Sequence, residues 1–197
     1  MFKIDFLRWE IARIRWVEAL MRSLLAGALT ALGARIAVPL PGTPVPMTLQ
    51  VLGVLLAGMI LDGKRGALGQ LLYLAAGVAG LPVFASTAGP QALLGPTGGY
   101  LIAFPAAAFI VGALSHRFNH LAGRLLAALA GVGAIYAGGT LWLALWLGAA
   151  EDPWGIALAR AWRLGAVPFI LVDLAKSLLA ALIAGRFTTM SDTKEER

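Results

Sequence analysis

Apolar positions along this chain run on, and polar ones are bunched between the runs. Six stretches carry few or no charges, at residues 17–38, 47–61, 66–80, 98–115, 121–148 and 167–185. A helix that crosses a lipid hydrocarbon core needs about 20 such residues. The pattern therefore predicts an all-α integral membrane protein with about six transmembrane helices. The second and third stretches are short for a full bilayer and form a tight pair. Ahead of the first, Phe2, Phe6, Leu7, Trp9, Ile11 and Ile14 are interleaved with Arg8, Glu10, Arg13 and Arg15. That spacing predicts an amphipathic segment over residues 1–16 lying on the membrane surface. A single six-helix domain follows over 17–186, then a cytoplasmic tail over 187–197. Residues 3–22 are too long and too mixed in charge for a cleaved signal, and no small-residue cleavage site follows.

Basic residues decide the orientation. With the N-terminus inside, the inner segments hold Lys3, Arg8, Arg13, Arg15, Arg22, Lys64, Arg65, Arg117, Arg124, Arg186, Lys194 and Arg197. Arg35, Arg160 and Arg163 fall outside, and Lys176 lies within a span. This bias predicts that both termini are cytoplasmic. Two outer segments are uncharged. Residues 39–46 carry four prolines, which bars a helix because proline has no amide donor. Residues 81–96 mix Gly, Ser, Thr and Pro with apolar side chains, as a loop that packs down onto something would.

Composition narrows the class further. The chain is 59% hydrophobic and 13% charged, with a mean hydropathy of +0.82, whereas a soluble domain carries about 25% charged residues. The net charge of +6 does not signal nucleic acid, because the basic residues sit in short turns and not along one face. With no cysteine, the chain has no disulfide, thiolate metal site or cysteine nucleophile.

Candidate chemistry is sparse. Gly58 to Arg65 nearly spells a phosphate-binding loop, but Arg65 stands where a Ser or Thr should hold magnesium, and a membrane helix precedes it. It reads as a cytoplasmic turn, so the chain has no nucleotide site of its own. His116 and His120 have helical ligand spacing but no neighbouring carboxylate. An integral-membrane enzyme acting on a lipid would need several acidic residues on one side. Asp62, Glu151 and Asp152 are too few and fall on opposite sides.

The pair Asp173 and Lys176 stands apart. Both lie in an apolar stretch, where a charged side chain costs several kcal/mol, and their i, i+3 spacing puts them on one helix face. The pair could neutralise itself, or could recognise a polar ligand group that both donates and accepts. On the first helix, Ser23, Gly27 and Ala31 recur every four residues, which admits close approach of another helix, internal or from a different subunit.

Four motifs occur in order: Pro46-Met47-Thr48-Leu49-Gln50-Val51-Leu52, Gly80-Leu81-Pro82-Val83-Phe84, Leu94-Gly95-Pro96-Thr97-Gly98-Gly99-Tyr100-Leu101, and Asp173 with Lys176. Together they resemble the biotin-specific substrate-binding subunit (S component) of energy-coupling-factor (ECF) transporters, the BioY family. The resemblance runs from about residue 21 to 185. It implies a six-helix fold in a prokaryotic cell membrane that captures biotin from outside, with no other cofactor. It also implies a transmembrane coupling subunit and a pair of ATP-hydrolysing subunits as partners. By the resemblance, Asp173 accepts from the ureido N–H groups, and Lys176 donates to the ureido oxygen or the valerate carboxylate. Ser86 or Thr87 adds a polar contact, and Tyr100, Phe84 and Gln50 line the site. Ser23, Gly27 and Ala31 would dock on the coupling subunit. The chain departs from the family pattern before Asp173, where Ile170-Leu171-Val172 replaces a common Pro-Gly. It also has Tyr100 where some members carry a basic residue, which leaves Lys176 or water to hold the carboxylate.

Overall fold

A computed structural model describes the backbone of residues 2–148 and 153–195, and side chains over 13–148 and 153–187. Its elements are helices with one short ribbon. Helix α1 spans Phe2–Arg35, followed by strands β1 (Ala37–Val38) and β2 (Met47–Thr48). Helices α2 (Gln50–Leu61), α3 (Gly63–Val78), α4 (Gln91–Leu94), α5 (Gly98–Arg117) and α6 (Leu121–Trp146) come next. Helix α7 (Trp154–Gly165), a 3-10 turn at Val167–Phe169 and α8 (Ile170–Glu195) complete the chain.

The helices are arranged inside out relative to a soluble protein. On α1, Ser23, Ala26, Gly27, Thr30 and Ala34 are buried, while Leu24, Leu25, Leu29 and Leu32 point outward, Leu25 at 66% exposure. Large aliphatic side chains are stable there only against lipid. Small ones inside let backbones approach closely, so that packing and hydrogen bonds hold the helices together. The interior is accordingly rich in alanine: Ala107, Ala108, Ala127, Ala128, Ala144, Ala180 and Ala181 are fully buried. Val54 and Leu55 of α2 lie at the centre, among α1, α3, α5 and α8.

Four stretches are long and apolar enough to cross a membrane: Arg13–Arg35, Gly98–Arg117, Leu121–Trp146 and Trp154–Phe187. The pair α2 and α3, with 12 and 16 residues, spans roughly 18 and 24 Å at 1.5 Å per residue. Each falls short of a hydrocarbon core of about 30 Å, as their short apolar runs predict. Asp62 makes the turn between them at φ +107°, and its side chain accepts a hydrogen bond from the Arg65 amide at 2.9 Å. The N-terminal segment is not a separate element, because α1 runs unbroken from Phe2. Its surface placement falls on side chains outside the described residues, as does the tail beyond Phe187.

Three elements depart from the expectation of plain loops. The proline segment reverses at Gly42 (φ +83°) and brings Ala37 opposite Thr48 in the ribbon. The second loop contains α4 and is pinned by Trp142, whose indole Nε1 donates to the Gly95 carbonyl at 2.8 Å. The segment before the last span contains α7, whose Ala157, Ala161 and Gly165 form a small-residue stripe, and α7 packs on α6.

The antiparallel path gathers the basic turns at one end. Ser23 Oγ donates to the Arg65 carbonyl at 3.0 Å. Residues 62–65 share a depression with His116, and His116 shares another with Arg124 and Ala184. The two uncharged loops and α7 lie at the opposite end.

Candidate functional site

At the loop end a cavity opens between the two uncharged loops and the upper halves of α2, α5, α6 and α8. Its polar centre is on α8. Lys176 Nζ donates to Asp173 Oδ1 at 2.6 Å, and Tyr136 Oη donates to Asp173 Oδ2 at 2.6 Å. Asp173 is 3% exposed and Lys176 5%. The i, i+3 spacing makes the ion pair, and α6 delivers Tyr136 from across the bundle. Trp162 of α7 packs edge-on against the Tyr136 ring at 6.1 Å. A carboxylate has about four acceptor positions and an ammonium three donors. After these bonds, Asp173 keeps acceptor capacity and Lys176 keeps two N–H groups for a ligand.

The walls are mostly aromatic and aliphatic: Phe84, Leu101, Phe104, Ile135 and Phe169. Phe84 is fixed by an edge-on contact with Tyr73, ring centres 5.3 Å apart. Tyr100 donates to the Gly165 carbonyl at 2.9 Å. Its ring fits because two glycines face it: a Cβ on Gly139 would lie 2.2 Å from the ring, and one on Gly165 1.9 Å from the hydroxyl. Gln50 accepts from Thr48 Oγ1 at 3.0 Å, and its amide nitrogen donates to the Tyr73 hydroxyl. A mostly apolar chamber with a few convergent polar groups suits a small organic molecule with one polar head.

The structure thus brings Asp173, Lys176, Tyr100, Phe84, Gln50 and Ser86 to one cavity. Thr87 is not among them. It lines an adjoining depression with Pro44, Gln91 and Thr97, and both Ser86 and Thr87 are exposed. Ser86 borders both cavities. Sequence reading missed Tyr136, Thr48, Thr97 and Phe169. Tyr136 had one signal, a phenolic hydroxyl in a largely apolar span, where a buried O–H seeks an acceptor.

Ser23 and Gly27 pack against α3 within the chain, and Gly27 also borders the outward groove beside Ala31. Ser23 is fully buried, and a Cβ on Gly27 would lie 2.7 Å from the Gly69 carbonyl of α3. The small-residue face of α1 is therefore filled from within the chain. Ala31 is only half-buried and borders an outward groove with Leu24, Ala28, Leu72 and Ala76. His116 and His120 do not act together. His120 Nδ1 accepts from the Gly123 amide at 3.1 Å and caps α6. Among the described residues no group of three or more His, Asp or Glu could hold a metal.

The BioY family model matches residues 8–192. A probable biotin transporter BioY of Pyrococcus horikoshii is 44% identical over 160 residues, covering 81% of this chain and 89% of the relative. The biotin transporter BioY of Thermotoga maritima is 43% identical over 171 residues, covering 84% and 95%. A crystal structure of the S-component for biotin from an ECF-type ABC transporter superimposes with a TM-score of 0.76 at 27% identity. That match covers 89% of this chain and 93% of the other.

Proposed function

The chain belongs to the BioY family, and we propose that it captures biotin at the extracytoplasmic face of a prokaryotic membrane, as the substrate-binding subunit of an ECF-type transporter. The observation that carries this reading is the buried Asp173–Lys176–Tyr136 cluster in a cavity at the end opposite the basic turns. With those turns facing the cytoplasm, the cavity opens outward, the chain crosses six times and both termini lie inside. The short α2 and α3 then each cross once as a tight hairpin, with the loops completing the depth.

In this reading the ureido ring of biotin meets the charged cluster. Asp173 accepts from ureido N–H, and Lys176 donates to the ureido oxygen or the valerate carboxylate. The thioether ring and valerate chain lie along Phe84, Phe104 and Phe169. Ser86, at the loop edge, adds a polar contact in the role first shared with Thr87. Because no phosphate-binding loop is present in the sequence, energy comes from separate ATP-hydrolysing subunits through a transmembrane coupling subunit. The outward leucines of α1 face lipid.

Equilibrium binding of labelled biotin to the purified chain in detergent, with thiamin and riboflavin as competitors, tests the ligand. Saturable binding displaced by biotin alone is expected, and Asp173→Asn should lose most of it while the protein still folds. Near-wild-type affinity in that variant would remove Asp173 from recognition. Folded protein that binds a competitor better would move the ligand to another vitamin.

A further inference from the structure

The basic end holds a second cavity that biotin capture does not use. It lies between the α5–α6 turn and α8, open to solvent at the exposed His116 and Asn119, and is also lined by Met59, Ser115, Arg124 and Ala184. Arg124 is one turn into α6. Its Nη1 donates to Asn119 Oδ1 at 2.9 Å. Its Nη2 reaches so close to α8 that a Cβ on Gly185 would lie 2.6 Å away. Its Nε is shut off from solvent and has no acceptor. That edge is closed off against α8, so the cavity can meet the guanidinium only through its Nη groups.

The remaining groups around this cavity are also donors. Asn119 has its oxygen committed to Arg124, which leaves its NH2. Ser115 is buried, and its hydroxyl reaches only a long 3.4 Å contact to the Gly112 carbonyl. His116 contributes a ring that can carry a proton. Among the described residues no carboxylate lines the cavity. The described acids on this side, Glu18 and Asp62, are already paired with Arg22 and Arg65. Lys64, Arg117 and Arg186 add positive charge at the same end. The cavity also lies at the last turn of α5, where an apolar span gives way to polar residues and lipid phosphates sit.

We propose that this cavity binds a phosphate oxyanion, held by the Arg124 guanidinium with Ser115, His116 and Asn119. A tetrahedral oxyanion offers several acceptors at once, which suits converging donors from an arginine, a hydroxyl and an amide. The same chemistry comes from a phospholipid headgroup or from free phosphate.

The test uses the full chain in a neutral maltoside detergent, with thermal unfolding as readout. One arm titrates inorganic phosphate at constant ionic strength, balanced with chloride. The other dopes the micelles with phosphatidylglycerol, or with diacylglycerol as a control for the acyl chains. Wild type should show a saturable rise in Tm in at least one arm, of roughly 5–10 °C at about 100-fold above half-saturation. A rise with phosphate assigns a free-ion site, and a rise with phosphatidylglycerol alone assigns a headgroup site. Arg124→Gln should abolish the rise, and Arg117→Gln, at the same end but outside the cavity, should keep it. No rise in either arm, or an unchanged rise in Arg124→Gln, overturns the proposal. If Arg124→Gln does not melt cooperatively, Asn119→Ala decides: its half-saturation point should move up several-fold, and an unmoved point counts against the site.

Discussion

Replacing Lys176 by methionine separates the two jobs the buried ion pair could have. In wild type, Asp173 takes one hydrogen bond on each oxygen, from Lys176 and Tyr136, both at 2.6 Å, with the pair almost wholly shielded. Lys176→Met keeps the length of the side chain but leaves the carboxylate with Tyr136 alone. Breaking a buried pair by removing one partner costs about 3–5 kcal/mol. The surviving Tyr136 bond, worth about 1.5–3 kcal/mol because its acceptor is charged, holds the loss near the lower end, at about 3 kcal/mol. For a chain of this size that is a fall in Tm of roughly 6–12 °C. The double variant Asp173→Leu/Lys176→Met removes both charges and replaces them with apolar side chains of similar size, which is often nearly neutral. Its remaining deficit is the orphaned Tyr136 hydroxyl, about 1–3 kcal/mol. Differential scanning fluorimetry in detergent should therefore find the double variant more stable than Lys176→Met, while labelled-biotin binding finds both inactive. A double variant that regains stability and also binds biotin would refute a recognition role. One that is less stable than Lys176→Met would refute the claim that the unpaired charge dominates the cost.

Other perturbations test the surroundings. Tyr136→Phe removes one donor from Asp173 and should weaken biotin binding about tenfold or more, read by equilibrium binding; unchanged affinity would make Tyr136 a bystander. Gly165→Ala places a methyl 1.9 Å from the Tyr100 hydroxyl and should destabilise by about 1–3 kcal/mol. Tyr100→Phe on that background should recover part of the Tm, and an additive loss would break the argument. Gly27→Val drives a side chain into the Gly69 carbonyl, so it should lower the Tm of the isolated subunit. A wild-type Tm with lost assembly would place that face against a partner instead.

Much of the molecule could be read from local chemistry. Apolar runs must be helical in lipid, since every backbone polar group has to be satisfied within its own segment. Lys and Arg mark the turns whatever the packing. Asp173 and Lys176 stood out because charge is conspicuous in an apolar span, and their mutual contact followed from helix geometry alone. The site's loop residues depended on family resemblance, and the resemblance could not separate Ser86 from Thr87, because which of two neighbouring exposed side chains borders the cavity depends on how the backbone bends after Phe84. Helix α7 was passed over because Arg160 and Arg163 broke the apolar run, although Ala157, Ala161 and Gly165 mark a packing face at helical spacing.

The sequence by itself determined the number and course of the apolar segments, the clustering of basic turns at one end, and a buried ion pair in the last helix. The tertiary structure decided that Tyr136 completes the cluster, that Tyr100 points at Gly165, that Arg124 lies folded against α8, and that α3 fills the α1 small-residue face. The physical reason is range. Hydrophobicity and helical periodicity act between neighbours along the chain, so one strand of text carries them. Each of the later facts joins residues far apart in sequence, 37 positions between Tyr136 and Asp173 and 65 between Tyr100 and Gly165. They exist only once the helices have packed.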